Sequence, residues 1–425
     1  MPFYVKFIRW YYIFLTVLVF IAPLDYPLYK YIPALVIMWV SYLFFNFGSK
    51  NHAKYSQNRE LDRKIPRSLN KELLFFVCFM VVFIPLYIRF YTGGNILTLV
   101  RSFGSGIGTD SNYALYQQYF EENSLNQFSI QKLPYILGYG IAKFLFYYFV
   151  ISYVGFTKKL EKQSLILIVL LFALFSLVGM SRGTSFENFE SLVLLIFSLL
   201  VRSKIIYNKN TFTKSQIIAV SVVVVILGGY FIISKALRSS GEAFSKLSGP
   251  SSTLRYNPDH WIMHLSPNVG KVALNFTGYF TFPIYFTSEL FWKIWSESLS
   301  GMMAAFLPGV ASWVLNLTDY RKALENLGVD TGACWNPDCT TAIFYLGVPL
   351  FFLLSYYLGK YSSKFYDKSV VNRDVGYTLF LYIIVYEMIS FPVGNFLVIS
   401  SANKIVLLCV FVVVYFGLFK KYRLR

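Results

Sequence analysis

Arg182 lies in a short polar segment between two long apolar ones. Residues 179–190 read GMSRGTSFENFE, preceded by LILIVLLFALFSLV and followed by SLVLLIFSLLV. A guanidinium can grip an oxyanion through two parallel hydrogen bonds, and the hydroxyls and free N–H groups at the start of a following helix favour the same charge. The segment therefore predicts an anion site at Arg182. An arginine that snorkels from a helix end is the simpler interpretation.

A second group of basic side chains lies further along the chain. Residues 235–271 read KALRSSGEAFSKLSGPSSTLRYNPDHWIMHLSPNVGK and include Arg238, Arg255 and Lys271. Together with Arg182, these side chains could concentrate positive charge around one anionic group, which is electrostatic work that elsewhere falls to a metal ion. The alternative interpretation is a basic loop that is simply solvated.

Two histidines and one carboxylate are the candidates for proton transfer. His260 and His264 are four residues apart, which places them on one face if this piece is helical. An imidazole with a pKa near ~6.5 can accept a hydroxyl proton at neutral pH, although a histidine bonded to loop backbone is equally consistent with the sequence. Glu289, in FTSELFW, is a third candidate. Two histidines without a third ligand make a poor metal site, so we predict none.

The elements that must position these residues are apolar and long. Of the 425 residues 56% are hydrophobic and 14% are charged, whereas soluble domains carry roughly 25% charged residues. Because backbone groups in lipid must be satisfied within their own segment, the sequence predicts an all-α polytopic membrane protein, with 1–425 as a single integral membrane domain. We expect about ten spans, at about 7–23, 31–48, 72–90, 133–155, 164–180, 188–202, 216–234, 340–359, 376–394 and 404–419. Two more apolar stretches, within 272–317, would make twelve if they cross.

The basic residues gather on one side of these spans. Most of them fall in the connections at 50–71, 158–162, 202–214 and 360–373 and at the C-terminus, all on the side of the N-terminus. By the positive-inside rule that side is the cytoplasm, so both termini are expected there and the net charge of +18 does not indicate nucleic acid. The opposite side carries two long segments, 91–132 and 235–339. We expect the second to be partly helical, with helices lying at the membrane interface.

Some further residues, and some missing motifs, also bear on function. Lys143 and Glu387 lie within predicted spans and could form a buried ion pair, while Cys334 and Cys339 could form a disulfide outside. The sequence has no D-x-D motif, no P-loop and no dinucleotide-binding fingerprint. We therefore expect no nucleotide or other cofactor.

Three stretches of the sequence are similar to a known family. The motifs GMSRGTSF, TGYFTFPIYFTSELF and NPDCTTAIFYLGVPLFFLLSYYLGK, in this order, resemble Wzy-type O-antigen or capsule repeat-unit polymerases. Ser181, Arg182 and Gly183 match the SRG of that family, and the aromatic segment 279–290 matches its aromatic motif. The usual glycine after the aromatic pair is absent around Phe286.

The resemblance implies a glycosyltransferase bundle similar to the GT-C class, in the inner membrane of a bacterium with a periplasmic active site. Its donor would be a glycan on undecaprenyl diphosphate, and its acceptor a repeat unit on the same lipid. Transfer would be inverting and independent of metal, and a chain-length regulator protein would be a further partner besides membrane lipid. An O-antigen ligase with the same donor and a flippase or exporter of lipid-linked sugars are the alternatives. The implied roles are diphosphate binding by Arg182, Arg238, Arg255 and Lys271, and proton removal by His260, His264 or Glu289.

Overall fold

A computed structural model shows a helical protein whose described part contains one two-stranded sheet of two residues a strand. The structure describes residues 1–50, 68–95, 116, 118–123, 129–157, 161–182, 184, 186–239, 254–314, 316, 319–326, 328, 337–394 and 400–416.

Long helices make up most of the described residues up to 239. They are α1 (Phe3–Ile21), α2 (Ile32–Lys50), α3 (Ser68–Thr92), α4 (Leu133–Val150), α5 (Lys162–Ser181), α6 (Phe186–Tyr207) and α7 (Lys214–Ser239). A π-helical turn, Ile151–Gly155, continues α4. Strand β1 (Leu24–Asp25) lies between α1 and α2.

Shorter helices alternate with long ones in the rest of the chain. Strand β2 (Arg255–Tyr256) is followed by α8 (Trp261–Leu265), α9 (Pro267–Leu290), α10 (Leu299–Phe306), α11 (Val310–Val314), α12 (Tyr320–Asn326), α13 (Asp338–Asn372), α14 (Val375–Ser390) and α15 (Ser401–Phe416). A π-helical turn, Phe291–Trp295, extends α9.

The helices confirm a polytopic membrane protein. Each of the ten predicted spans overlaps one of the long helices. Within the described residues, six helical segments are long and apolar enough to cross a membrane: Phe3–Ile21, Leu28–Lys50, Asn70–Thr92, Ile130–Gly155, Lys162–Ser181 and Asp338–Val370. Lys214–Tyr230, Val375–Ser390 and Ser401–Phe416 are apolar but shorter. The total of ten crossings therefore stays a prediction.

The chain divides into two compact units. The first comprises Met1–Tyr55, Ser239–Phe365 and Ile383–Ser400, and the second comprises Ser56–Arg238, Tyr366–Tyr382 and Ser401–Arg425. In the first unit α9 packs against α1 and α2, and the ring of Phe14 in α1 lies 5.5 Å from that of Phe280. In the second unit α4 packs against α3, α6 and α15, and α5 packs against α3 and α6.

A small sheet joins β2 to β1, which lies in the connection between α1 and α2. Strands β1 and β2 are antiparallel, with Asp25 opposite Arg255. The N–H of Asn257 then donates a hydrogen bond of 2.9 Å to the carbonyl of Pro23. Part of the long segment 235–339 is thereby attached to the N-terminal helices within the first unit.

Helix α13 is broken near its start, where the sequence predicts one uninterrupted span over 340–359. Gly347 has φ +71°, a conformation that glycine adopts without strain, and Pro349 lacks the N–H that a regular helix would use. A Cβ at Gly347 would lie 2.8 Å from the carbonyl oxygen of Phe306 at the end of α10. The break thus lets the backbone of α10 approach closely.

Candidate functional site

The turn between α5 and α6 carries Arg182, the residue that the sequence favours most. Arg182 follows the last residue of α5, and its N–H donates to the carbonyl of Gly179 at 3.1 Å. The N–H of Thr184 donates to the same carbonyl at 2.8 Å. Both bonds close the end of α5 tightly, so that α6 begins at Phe186. Gly183 and Ser185 lie outside the described residues.

Arg182 is held by a carboxylate from the first turn of α6. Its Nη2 forms an ion pair with Oε1 of Glu187, whose side chain is 3% exposed, whereas that of Arg182 is 23% exposed. Oε2 of Glu187 accepts a hydrogen bond of 3.2 Å from Thr184 Oγ1. The position of Glu187 near a helix N-terminus also suits its negative charge. Nε of Arg182 is buried and makes no hydrogen bond.

Four tyrosines lie around this guanidinium. Tyr87 and Tyr91 at the end of α3, Tyr116, and Tyr139 in α4 all interact with it electrostatically, and Tyr116 also forms a hydrogen bond with it. The rings of Tyr87 and Tyr139 stack with their centroids 4.5 Å apart. The hydroxyl of Tyr139 is buried and has no hydrogen-bond partner. The cluster thus holds two buried polar groups that a water molecule or a ligand could hydrogen-bond.

A second ion pair lies on the same face of α6. Nζ of Lys143 in α4 is 2.6 Å from Oε2 of Glu190, and both side chains are almost fully buried. The hydroxyl of Tyr147 donates to Oε1 of Glu190, and Nζ of Lys143 lies 5.4 Å from the ring centre of Phe186. The sequence suggested Glu387 as the partner of Lys143. Glu190 holds that place because α6 packs against α4.

Glu187 and Glu190 were not singled out from the sequence. The available signal was their spacing of three residues at the start of an apolar helix, which puts two carboxylates on one face where charge is costly. Together with Lys143 and Arg182 they form what we call the α6 charge cluster. Its two cations and two carboxylates carry no net charge.

Glu289 lies in the first unit, near the end of α9. Its Oε1 accepts a hydrogen bond of 2.9 Å from the hydroxyl of Tyr26, and its Oε2 lies 2.8 Å from Nζ of Lys293, one turn later. The rings of Tyr31 and Tyr285 meet that of Tyr26 edge to face at 4.8 and 4.9 Å. Burial and the neighbouring carboxylate raise the pKa of Tyr26, which therefore stays protonated and donates to Glu289.

The two histidines occupy different environments. His260 precedes α8, and its Nδ1 accepts a hydrogen bond of 3.4 Å from the N–H of Ile262. His260 thus caps the start of α8, where the sequence suggested a bond to loop backbone, and desolvation lowers the pKa of His260, so that it is neutral at neutral pH. Only His264 lies inside α8, where it is exposed, so the two do not share one helical face.

For the other predicted basic residues, the structure describes only the backbone. Arg238 is in the last turn of α7, Arg255 is in β2 and Lys271 is in the first turns of α9, while their side chains lie outside the described part. Arg182 and Arg238 belong to the second unit. Arg255, His260, His264, Lys271 and Glu289 belong to the first. The diphosphate-binding and base assignments of these residues remain predictions.

Cys339 is a free, buried thiol, with its Sγ 3.9 Å from Oγ1 of Thr287. A disulfide of Cys339 with Cys334 is therefore not present, and Cys334 itself lies outside the described residues. Among the residues that the structure describes, no three or more histidine, cysteine, aspartate or glutamate side chains are grouped so that they could hold a metal ion.

Comparisons with models of protein families, with curated proteins and with solved structures found no match to this chain. Its class is thus defined by its own fold and side chains. It is a polytopic helical membrane protein with a buried charge cluster at the junction of α5 and α6.

Proposed function

We propose that this chain is a glycosyltransferase that joins repeat units carried on undecaprenyl diphosphate, at the periplasmic face of a bacterial inner membrane. The observation that supports this best is the environment of Arg182. A buried Nε without a hydrogen-bond partner lies in a cluster with four tyrosines, at the end of an apolar helix. Such a position is where a lipid headgroup at the outer leaflet would present its phosphates.

The chemistry of the cluster fits a phosphate that carries a sugar. An arginine supplies fixed positive charge and a planar pair of donors, which suits a phosphate oxygen pair. Tyrosine rings and hydroxyls supply apolar faces and hydrogen bonds for the adjoining sugar. Arg182 in the turn after α5 supplies the first, and the tyrosines of α3 and α4 together with Tyr116 supply the second.

The reaction is an inverting displacement at the anomeric carbon of the donor. The acceptor hydroxyl attacks this carbon and loses its proton to a base. The bond from the anomeric carbon to the diphosphate oxygen breaks, and undecaprenyl diphosphate leaves with the bonding electrons. Arg182 stabilises the charge that develops on this oxygen, with Arg238 of the same unit as a further candidate for this task. An O-antigen ligase would use the same donor and leaving group.

One observation favours a second candidate function, a flippase or exporter of lipid-linked sugars. The ion pair of Lys143 and Glu190 is buried between α4 and α6, and ionisable groups inside membrane helices often mark a transport path. A transporter would move the lipid-linked repeat unit across the bilayer without lengthening its glycan.

Purified protein with a single synthetic repeat unit on undecaprenyl diphosphate distinguishes these functions. We expect a ladder of longer glycans, formed also in the presence of a metal chelator. Arg182→Ala is expected to slow chain growth by on the order of 100-fold or more, and Arg182→Lys should recover little because the planar pair of donors is lost.

Lys209→Ala is the matched control, because Lys209 is an exposed cation in the same unit. It should leave the ladder unchanged. An Arg182→Ala protein that inserts in the membrane and still forms the full ladder would refute the role of Arg182. The absence of any ladder, with transport of the same lipid into the opposite leaflet, would support the flippase instead.

A further inference from the structure

The guanidinium of Arg182 has one donor, Nε, that makes no hydrogen bond. Nε and Nη2 form the edge that grips a carboxylate or phosphate side-on with two parallel hydrogen bonds. Nη2 pairs with Oε1 of Glu187, while Nε is buried and has no partner. Nε is therefore a donor that an oxygen of a bound phosphate could use.

A phosphate that takes both donors of this edge competes with Glu187 for Nη2, and displacement of Glu187 would complete its two parallel hydrogen bonds. Oε1 of Glu187 then loses its cation, while Oε2 keeps the hydroxyl of Thr184 at 3.2 Å. Gly179 makes room for this carboxylate because it has no side chain, and a Cβ at this position would lie 2.8 Å from Oε2. Arrival of the diphosphate thus frees one carboxylate oxygen beside the bound headgroup.

We infer that Glu187 is the base of the reaction, and that binding of the donor diphosphate to Arg182 frees Glu187 from its ion pair. This rests on the proposed function, in which the donor diphosphate binds Arg182. The acceptor oxygen forms its bond to the anomeric carbon, the diphosphate leaves with the electrons of the broken bond, and the hydroxyl proton passes to Oε1 of Glu187. Before the donor binds, the ion pair with Arg182 keeps this oxygen occupied.

Glu190 does not qualify for this role although it lies one turn away. Its two oxygens are engaged by Lys143 and Tyr147, and neither of these residues is the proposed diphosphate ligand, so binding of the donor would not release Glu190. Glu187 joins His260, His264 and Glu289 as a candidate base, and it differs from them because its partner is the residue that binds the diphosphate.

Two measurements on the purified full-length protein test the inference, namely binding of inorganic pyrophosphate and growth of the glycan ladder. Glu187→Gln removes the basic oxygen and the competing negative charge together. We expect it to bind pyrophosphate several-fold more tightly than the unmodified protein and to extend glycans on the order of 100-fold more slowly. Glu187→Asp keeps a carboxylate and should recover part of the rate. Glu122→Gln changes an exposed glutamate in the same unit and should alter neither measurement.

Each other outcome has a distinct meaning. Near-normal ladder growth by Glu187→Gln would overturn the inference and leave the proposed function intact. Loss of pyrophosphate binding together with ladder growth in Glu187→Gln would also overturn it, because Glu187 would then only position Arg182. If Arg182→Ala binds pyrophosphate as well as the unmodified protein, the role proposed for Arg182 fails, and the inference, which depends on that role, fails with it.

Discussion

Gly179 shows how closely single residues are fitted in the turn between α5 and α6. A Cβ at this position would lie 2.8 Å from Oε2 of Glu187 and 3.0 Å from the carbonyl oxygen of Thr184. Contacts this short require the carboxylate or the turn to move. At the residue scale the α6 charge cluster therefore depends on a glycine as much as on its charged members.

Gly179→Ala is expected to destabilise the protein by about 1–3 kcal/mol, as overpacking of a well-packed site does. The control is Gly228→Ala in α7, where nothing lies within 4 Å of the added Cβ, and where alanine should be neutral or stabilising by up to about 1 kcal/mol. Thermal unfolding midpoints in one detergent measure both. Equal midpoints for the two variants would show that the Glu187 carboxylate is not confined as the structure indicates.

At the scale of elements, the pairing of Lys143 with Glu190 joins α4 to α6. Both side chains are nearly inaccessible, and each charge is compensated by the other at 2.6 Å. Removing one partner from a buried pair leaves an uncompensated charge, whereas replacing both by neutral groups of similar size can be almost neutral. The pair therefore specifies which helices meet more than it adds to stability.

A double-mutant cycle tests this account of α4 and α6. Lys143→Met alone should lower stability by about 3–5 kcal/mol, because Glu190 loses its cation. Combining Lys143→Met with Glu190→Gln should recover a large part of that loss, as measured by thermal unfolding in detergent. A double variant as unstable as the sum of the two single variants would mean that the side chains do not interact.

At the scale of the whole molecule, the positions of the basic residues predict how the protein is oriented in the membrane. The distribution of basic residues predicts that the connection between α6 and α7 is cytoplasmic and that 235–339 is periplasmic. Lys209 and Glu297 are exposed residues in these two places. They offer positions where a reporter thiol should not disturb packing.

Cysteine labelling with a membrane-impermeant reagent checks the orientation, in a background where Cys78, Cys334, Cys339 and Cys409 are replaced by serine. Reagent confined to the periplasm of intact cells should label Glu297→Cys, and Lys209→Cys should react only after the inner membrane is permeabilised. Labelling in the reverse order would place the predicted active site in the cytoplasm and end the proposed function.

The sequence by itself determined where the helices lie. Apolar segments long enough to cross a membrane are a local property of the chain, and every predicted span overlaps a helix, from Phe3–Ile21 to Ser401–Phe416. The break at Gly347 was missed because it depends on the approach of Phe306, which lies some forty residues earlier in the chain.

Only the tertiary structure decided which charges meet. The sequence drew attention to Arg182 and Lys143 but not to Glu187 and Glu190, and it suggested Glu387 for a place that Glu190 fills. A charge inside a membrane needs a partner, but the identity of the partner depends on which helices pack and at what rotation. Hydrophobic length carries no information about rotation, so the α6 charge cluster became visible only when α4, α5 and α6 were brought together.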